Sequence, residues 1–209
     1  MPKVGQAHRE SRRATILAAA EYCFARNGFH QTTMDDIVKR SGLSKGAVYG
    51  YFASKGDLIE ALANVRHEAE AAINAAALSA ADPVDGLIRL IHAYARELAA
   101  KRANDARRVQ IHSWAEAMRE PRIRRHIVQG LSHPKATVVE LMTRGQSTGR
   151  LAHDVDAESV ARALIALLQG LVLQIAWGEQ VDVTACARVA ERFLRGLIVQ
   201  NRSNSGGRR

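Results

Sequence analysis

Apolar residues recur along this chain at i, i+3 and i+4 almost from end to end, and no useful stretch alternates with period two. That spacing places them on one face of a helix, so the pattern predicts an all-α protein. The first helix is expected from about Glu10 to Asn27, with Ile16, Leu17, Ala20 and Phe24 facing inward and Gly28 as the left-handed residue that closes it. Thr33, with Asp36 three positions on, reads as a capping box opening a short helix whose apolar side is Ile37 and Val38 and which Gly42 ends. Ser44 caps the next helix, with Leu43 and Val48 spaced as a hydrophobic staple and Val48 and Phe52 turned inward. Ser54 and Asp57 open a longer connecting helix, expected over 54–78, that presents Leu58, Leu62 and Val65.

The run Ala80-Ala81-Asp82-Pro83 marks a seam, after which Asp82 as N-cap and Pro83 at the first helical position start a second bundle. Its first helix carries Leu87, Leu90, Ile91, Tyr94 and Leu98 on one side. Val109, Ile111, Trp114 and Met118 mark another, ended by Glu120-Pro121, and a longer basic helix follows with Ile123, Ile127, Leu131, Val138, Leu141 and Met142. Pro134 is expected to bend or break it. Asp156 caps an apolar helix reaching Trp177, and Asp182 caps a last one bearing Val189, Phe193, Leu197 and Ile198. The tail, 201–209, has the composition of a disordered segment. The expected domains are 1–56, an N-terminal arm and a three-helix unit with its motif at about 33–52, and 57–200, a helical bundle.

Charge narrows the partners. The chain has 209 residues and a net charge of +9, which suits a polyanion. Residues 1–56 alone hold nine basic against four acidic side chains. Cys23 and Cys186 both fall where a helix turns them inward, so nothing calls for an oxidising compartment. The basic N-terminus lacks the apolar stretch of a secretory signal, which leaves a cytoplasmic location as the expectation. Val160 to Trp177 approaches the length of a membrane span, but Arg162, Gln169 and Gln174 interrupt it. A central charge costs about 2.5–3.5 kcal/mol in a bilayer, so a buried helix and no membrane partner are expected.

Helix, glycine-containing turn, helix over Thr33 to Phe52 is the form in which a second helix enters a DNA major groove. With Val48 and Phe52 inward, Lys45 and Tyr49 lie one turn apart outside, and Gly46 and Ala47 permit close approach. Lys45 is placed for a guanine edge or a phosphate, Ala47 for a thymine methyl, and Tyr49, Tyr51 and Lys55 for phosphates. Thr33 and Ser44 sit at helix N-termini, where free amides favour an anion. His8, Arg9, Arg12 and Arg13 form a basic arm suited to a neighbouring minor groove.

The stretch RRATILAAAEYCFARNGFHQTTMDDIVKRSGLSKGAVYGYFASKGDLIEAL, from Arg12 to Leu62, resembles the DNA-binding domain of the TetR family of transcriptional regulators. Helix lengths, glycines, the Tyr-x-Tyr-Phe ending and the following Ser-Lys all fall in order. The later stretch WAEAMREPRIRR is similar to the family more weakly. The resemblance implies a homodimer with an N-terminal reader of double-stranded DNA and a C-terminal domain that binds a small-molecule effector and pairs the subunits, most often a repressor that releases a palindromic operator. Gly50 departs from the family, whose members commonly carry a larger side chain there, and glycine inside a helix costs ~1 kcal/mol relative to alanine.

The last two helices hold more apolar surface than one subunit covers, so Leu164, Leu168, Leu171, Val172, Phe193 and Leu197 are expected at a two-fold interface. For an effector pocket, Tyr94, Trp114, Met118, Met142 and Trp177 offer apolar lining and His92, His112 and Gln169 polar groups. The basic run from Lys101 to Lys135 reads as a solvated helix face. His112, His126 and His133 lack i, i+4 spacing and a completing Cys or carboxylate, so neither metal nor cofactor is expected. An enzyme fits poorly, with no phosphate loop, nucleophile elbow or His-Glu-x-x-His pattern. An architectural DNA protein of low sequence specificity stays open beside the regulator.

Overall fold

The computed structural model describes residues 3–100 and 104–199, and side chains from Gly5 and from Asp105 onward within those stretches. Among them lie nine helices: α1 (Lys3–Gln31), α2 (Met34–Ser41), α3 (Lys45–Tyr51), α4 (Lys55–Leu78), α5 (Pro83–Ala99), α6 (Asn104–Ala117), α7 (Pro121–Ser147), α8 (Ala157–Ala176) and α9 (Val183–Arg195). The described residues are all-α, apart from one antiparallel bridge between Leu151 and Ile198. The tail at 201–209 lies outside the described residues.

The caps form where local chemistry puts them. Thr33 accepts from the Asp36 amide while the Asp36 carboxylate accepts from the Thr33 amide at 2.8 Å. Ser54 and Asp57 repeat the arrangement at α4, and Asp82, Asp156 and Asp182 each accept an amide of the helix they open. Caps of this kind contribute about 1 kcal/mol each.

Several expected boundaries move. The N-terminal arm is helical: α1 starts at Lys3, so His8, Arg9, Arg12 and Arg13 ride on its exposed face. Nothing in the first ten residues after Pro2 breaks a helix. Gly28 has φ 71° but ψ 175°, an extended left-handed conformation open to glycine alone rather than a helical cap. The Thr32 hydroxyl secures that break by donating to the Gly28 and Cys23 carbonyls. Pro134 does not break α7, which is continuous through it. α9 ends at Arg195, because Ile198 leaves to bridge Leu151 and places Leu197 and Ile198 beyond the helix. Val65, expected inside, is 48% exposed.

Three apolar clusters hold the molecule. The first gathers Ile16, Leu17, Ala20 and Phe24 of α1, Ile37 of α2, Val48 of α3, Phe52 and Leu58, and then draws in Val109 and Ala117 of α6 and Ile123 of α7. The second joins α4, α5, α7 and α8 around Leu87, Leu141, Met142 and Leu151. The third packs Ala95 and Leu98 of α5 with Val172 of α8 and Val183 and Ala187 of α9. The first cluster therefore has members on both sides of the 56/57 boundary, Phe52 before it and Leu58 and Ile59 after it, and fixes α1 to α6.

Close crossings depend on glycine at specific points. A Cβ on Gly86 would lie 2.7 Å from the Ala77 carbonyl oxygen, a backbone atom that cannot swing aside, whereas a Cβ on Gly50 meets nothing within 4 Å. Opposite signs follow for the same substitution in two helices. Gly86→Ala is expected to destabilise the protein by about 1–3 kcal/mol through overpacking. Gly50→Ala should stabilise it by about 0.5–1 kcal/mol through helix propensity. Denaturant unfolding of both variants checks the pair.

Candidate nucleic-acid interface and interior cavity

The reader is α2, the Gly42 turn and α3, mounted on α1. Gly42 takes φ 69° and ψ 9°, the αL conformation that turns the chain sharply between the two helices. Ser44 accepts from the Ala47 amide and starts α3, while Val48, fully buried, pins its inner face. Gly46 and Gly50 leave open space on the helix, and Tyr49 is 41% exposed.

Lys45 is outward, and its Nζ lies 2.9 Å from Asp35 Oδ1 on the first turn of α2. Asp36, its neighbour, is committed to the capping box, and those Thr33 hydrogen bonds hold its carboxyl below the usual range. The Asp35 contact in turn raises the Lys45 ammonium above its ordinary value. Both partners are exposed, so the pair is worth little in stability and readily exchanges for a phosphate.

Tyr51 is half-buried against the reader core with its ring 6.5 Å from Phe52. Lys55 folds back: its Nζ donates to the Phe29 carbonyl at 2.7 Å and lies over the Phe29 ring, so it also clamps the end of α1. Thr33 is exposed at the start of α2.

Behind the reader, α4, α5, α6, α7 and α8 enclose a cavity of about 280 Å³. Tyr94, Trp114 and Gln169 line it, as the sequence suggests. The other five expected lining residues stand elsewhere. Met142 is fully buried in the second apolar cluster. Met118 and Trp177, at helix ends, are 84% and 69% exposed. His92 on α5 pairs with Glu191 of α9 at 2.7 Å, outside the cavity. His112 faces the other way on α6, its ring packed over Gly28 of α1. Helical periodicity gives a residue's face, not the partner that face meets.

The cavity walls also carry polar groups that the apolar pattern hides: Arg66, His67 and Glu70 of α4, Glu97 of α5, and Arg107 and Gln110 of α6. The signal in the sequence was the i, i+4, i+7, i+8 spacing of Arg66, Glu70, Ile73 and Asn74, a mixed stripe on a helix in which alanine is the commonest residue. Burial raises the Glu70 carboxyl, outweighing the Arg66 guanidinium beside it. Arg66 Nε stands 3.4 Å from Glu70 Oε1, a charge contact without a well-formed hydrogen bond. Burial pushes the Tyr94 phenol up to about 12, with Asn74 Nδ2 donating to its oxygen at 3.2 Å. Burial lowers His67, whose ring lies against Gly130. Arg107 donates to the Leu98 and Ala100 carbonyls and ties α6 to the end of α5. The cavity thus offers a carboxylate, amides and a phenol set in an apolar, aromatic wall, the make-up of a small-molecule site.

Comparison with known proteins agrees with this geometry. Residues 16–62 match the model for bacterial regulatory proteins of the tetR family, and residues 83–199 match that for the C-terminal part of BetI-type transcriptional repressors. The chain belongs to the TetR family of bacterial transcriptional regulators, a family of DNA-binding proteins rather than enzymes. The regulator UidR of Escherichia coli (strain K12) is 28% identical over 92% of this chain and 94% of its own length. Salmonella enterica GusR has a solved structure 31% identical to this chain, with TM-score 0.71, covering 90% of this chain and 95% of that one. A Saccharomonospora viridis protein solved in complex with choline is 26% identical, with TM-score 0.71 over 91% of this chain and 99% of that one.

The Lys45–Asp35 pair makes the reader testable without its operator. On a mixed-sequence duplex, Lys45→Ala should weaken binding and lower the slope of log affinity against log salt by about one for each protomer bound. Asp35→Asn should strengthen the same binding, since it frees Lys45 and removes a charge that repels phosphate. Fluorescence anisotropy across a salt series measures both, and an unaltered slope in Lys45→Ala would take α3 out of the interface.

Proposed function

We propose that the protein is a homodimeric repressor in the bacterial cytoplasm that reads a palindromic operator with paired α3 helices and leaves it when a small molecule fills the cavity behind the reader. The observation that carries this reading is the double use of α6. One side presents Arg107, Gln110 and Trp114 to the cavity, and the other packs His112 over Gly28 and sets Glu116 2.8 Å from His30 at the end of α1. α4 is also shared, walling the cavity with Arg66, His67 and Glu70 and contributing Leu58 and Ile59 to the reader's core. A ligand that reshapes either helix reaches the reader directly, and a coupling of ~1–3 kcal/mol changes operator affinity 5- to 150-fold.

Exposed apolar surface supports the dimer. α8 is long and apolar enough to cross a membrane, and of its twenty residues only Ala161 and Val172 are buried within the chain. Leu167, Val189 and Phe193 are 48%, 51% and 65% exposed along a groove of about 800 Å³ between α8 and α9 that Leu164, Leu168 and Leu171 also line. Of the expected contacts, Val172 belongs to the third internal cluster and Leu197 packs on the second, so Leu167 and Val189 replace them at the surface. The same two helices of a second copy would close the groove as a four-helix, two-fold interface. Two readers then face half-sites ~34–36 Å apart, one turn of duplex.

Leu167→Asp/Phe193→Asp should sediment as a monomer at micromolar concentration and bind an operator, recovered by selection from genomic fragments, roughly 10²-fold more weakly than the parent. A dimer that survives both changes places the interface elsewhere. The cavity has its own test. Compounds that raise the melting temperature of the parent should fail to do so with Trp114→Ala and should release the recovered operator; compounds that bind yet leave the operator occupied would sink the coupling.

Glu70→Gln removes a charge that burial disfavours. Because the folded carboxyl sits above its ordinary value of 4.5, its favourable contribution is present below that value and is lost as pH rises through the folded pKa. The variant should therefore gain stability over the parent progressively from acid toward pH 7, as read by urea unfolding at several pH values, with the two converging at low pH.

A further inference from the structure

We propose that the corner between α6 and α7 is a second phosphate-contacting surface, carried by the regulatory domain, where Arg119, Arg124 and Arg125 stand at the reader end of the molecule and lengthen the stretch of duplex each protomer touches. It rests on the DNA-binding reading above and adds contacts outside the helix-turn-helix.

Between Arg119 and Arg125 the chain carries four arginines and one acid. That acid, Glu120, is occupied as the N-cap of α7. Arg122 is occupied as well, on Asp57 at 3.0 Å and on Glu60. The other three arginines are exposed and make no ion pair or side-chain hydrogen bond among the described residues. Three uncompensated guanidinium groups repel one another and are best placed where a polyanion neutralises them.

Their position follows from how α7 lies on α4. Arg122 meets Asp57, His126 meets Glu60 at 3.2 Å, and Gly130 meets His67, so the two helices advance in the same direction. α4 begins directly after α3 and the Phe52 cap, which puts the N-terminal ends of both α4 and α7 at the reader. The end of α1 lies there too, since Lys55 holds the Phe29 carbonyl and His30 pairs with Glu116 just before the corner. Thr33, at the start of α2, follows three residues later. A duplex seated on α3 and on the exposed start of α2 at Thr33 brings its backbone to the end of the molecule where the three arginines stand.

The probe is a 40-base-pair duplex of mixed sequence, whose binding is dominated by phosphates, so no operator is needed. Each neutralised phosphate contributes about 0.9 to the salt slope. Arg124→Ala/Arg125→Ala should lower the slope by about 1.8 for each protomer bound, and adding Arg119→Ala should bring the loss to about 2.7 for each. Arg89→Ala/Arg96→Ala, two exposed arginines of α5, removes equal charge away from the corner and should leave the slope near that of the parent. The dimer and its unfolding transition should be unaltered in every variant. Equal slopes for the corner and α5 variants would overturn the proposal. Lys45→Ala separates that result from failure of the wider reading, because it lowers the slope whenever α3 binds DNA, whatever the corner does.

Discussion

The reader does not close its core by itself here. Its three helices span roughly fifty residues, a size at which a core alone gives only marginal stability. The deficit is met by the regulatory domain: Val109, Ala117 and Ile123 complete a cluster begun by Ile16, Phe24, Ile37, Val48 and Phe52. Such burial is worth roughly 1.5–3 kcal/mol per large side chain, so the reader is held firmly. It is also non-directional, which leaves a packed surface free to slide or tilt by small amounts where a hydrogen-bonded one is not.

Around that apolar centre the seam is polar and partly wet. Arg122 bridges to Asp57 and Glu60, His126 reaches Glu60, His30 reaches Glu116, and Lys55 holds the carbonyls that end α1. Partly exposed pairs of this kind contribute about 0–1 kcal/mol each, far less than the core they surround. Strong attachment and weak orientation are thereby separated into different residues. In the proposed mechanism a ligand of ordinary affinity leaves the reader attached but has enough free energy to rearrange the rim and so change the spacing of two readers across a duplex.

The parts legible in the sequence are those whose causes lie within a few residues of one another. Thr33 with Asp36, Ser54 with Asp57, Gly42 at the turn and Asp82 before Pro83 each act over less than two helical turns, and each forms as its spacing implies. The same holds for the inward faces of α2 and α3. Placement of the cavity wall was less legible because it depends on which helix meets which. Tyr94, Trp114 and Gln169 line the cavity, yet His112, two residues before Trp114, turns to α1 because successive helical residues diverge by about 100°. Met142 shares the long α7 with cavity-lining Leu131 and Pro134 but lies beyond the cavity in a different cluster. The start of α1 was misjudged for a different reason, since a polar, basic opening carries no apolar period to reveal that it is helical.

What escaped sequence reading has a common physical cause. Inward-facing residues were sought among apolar ones, but the cavity side of α4 carries Arg66, His67 and Glu70, polar groups whose partial burial raises Glu70 and lowers His67. α8 breaks the same rule in reverse, with leucines left facing out. A helix that buries polar groups without fully pairing them is poised to pair them with something else, and a helix that exposes apolar groups is poised to cover them. Each departure spends stability that ordinary packing would have kept, and in the proposed function each is repaired by a different kind of partner: a small molecule for α4, a large surface for α8. The cavity and the groove adjoin, sharing Tyr94 of α5, Pro134 of α7 and Ile165 and Leu168 of α8 as common lining. In the proposed dimer, occupation of the cavity and pairing of the subunits would therefore not be independent.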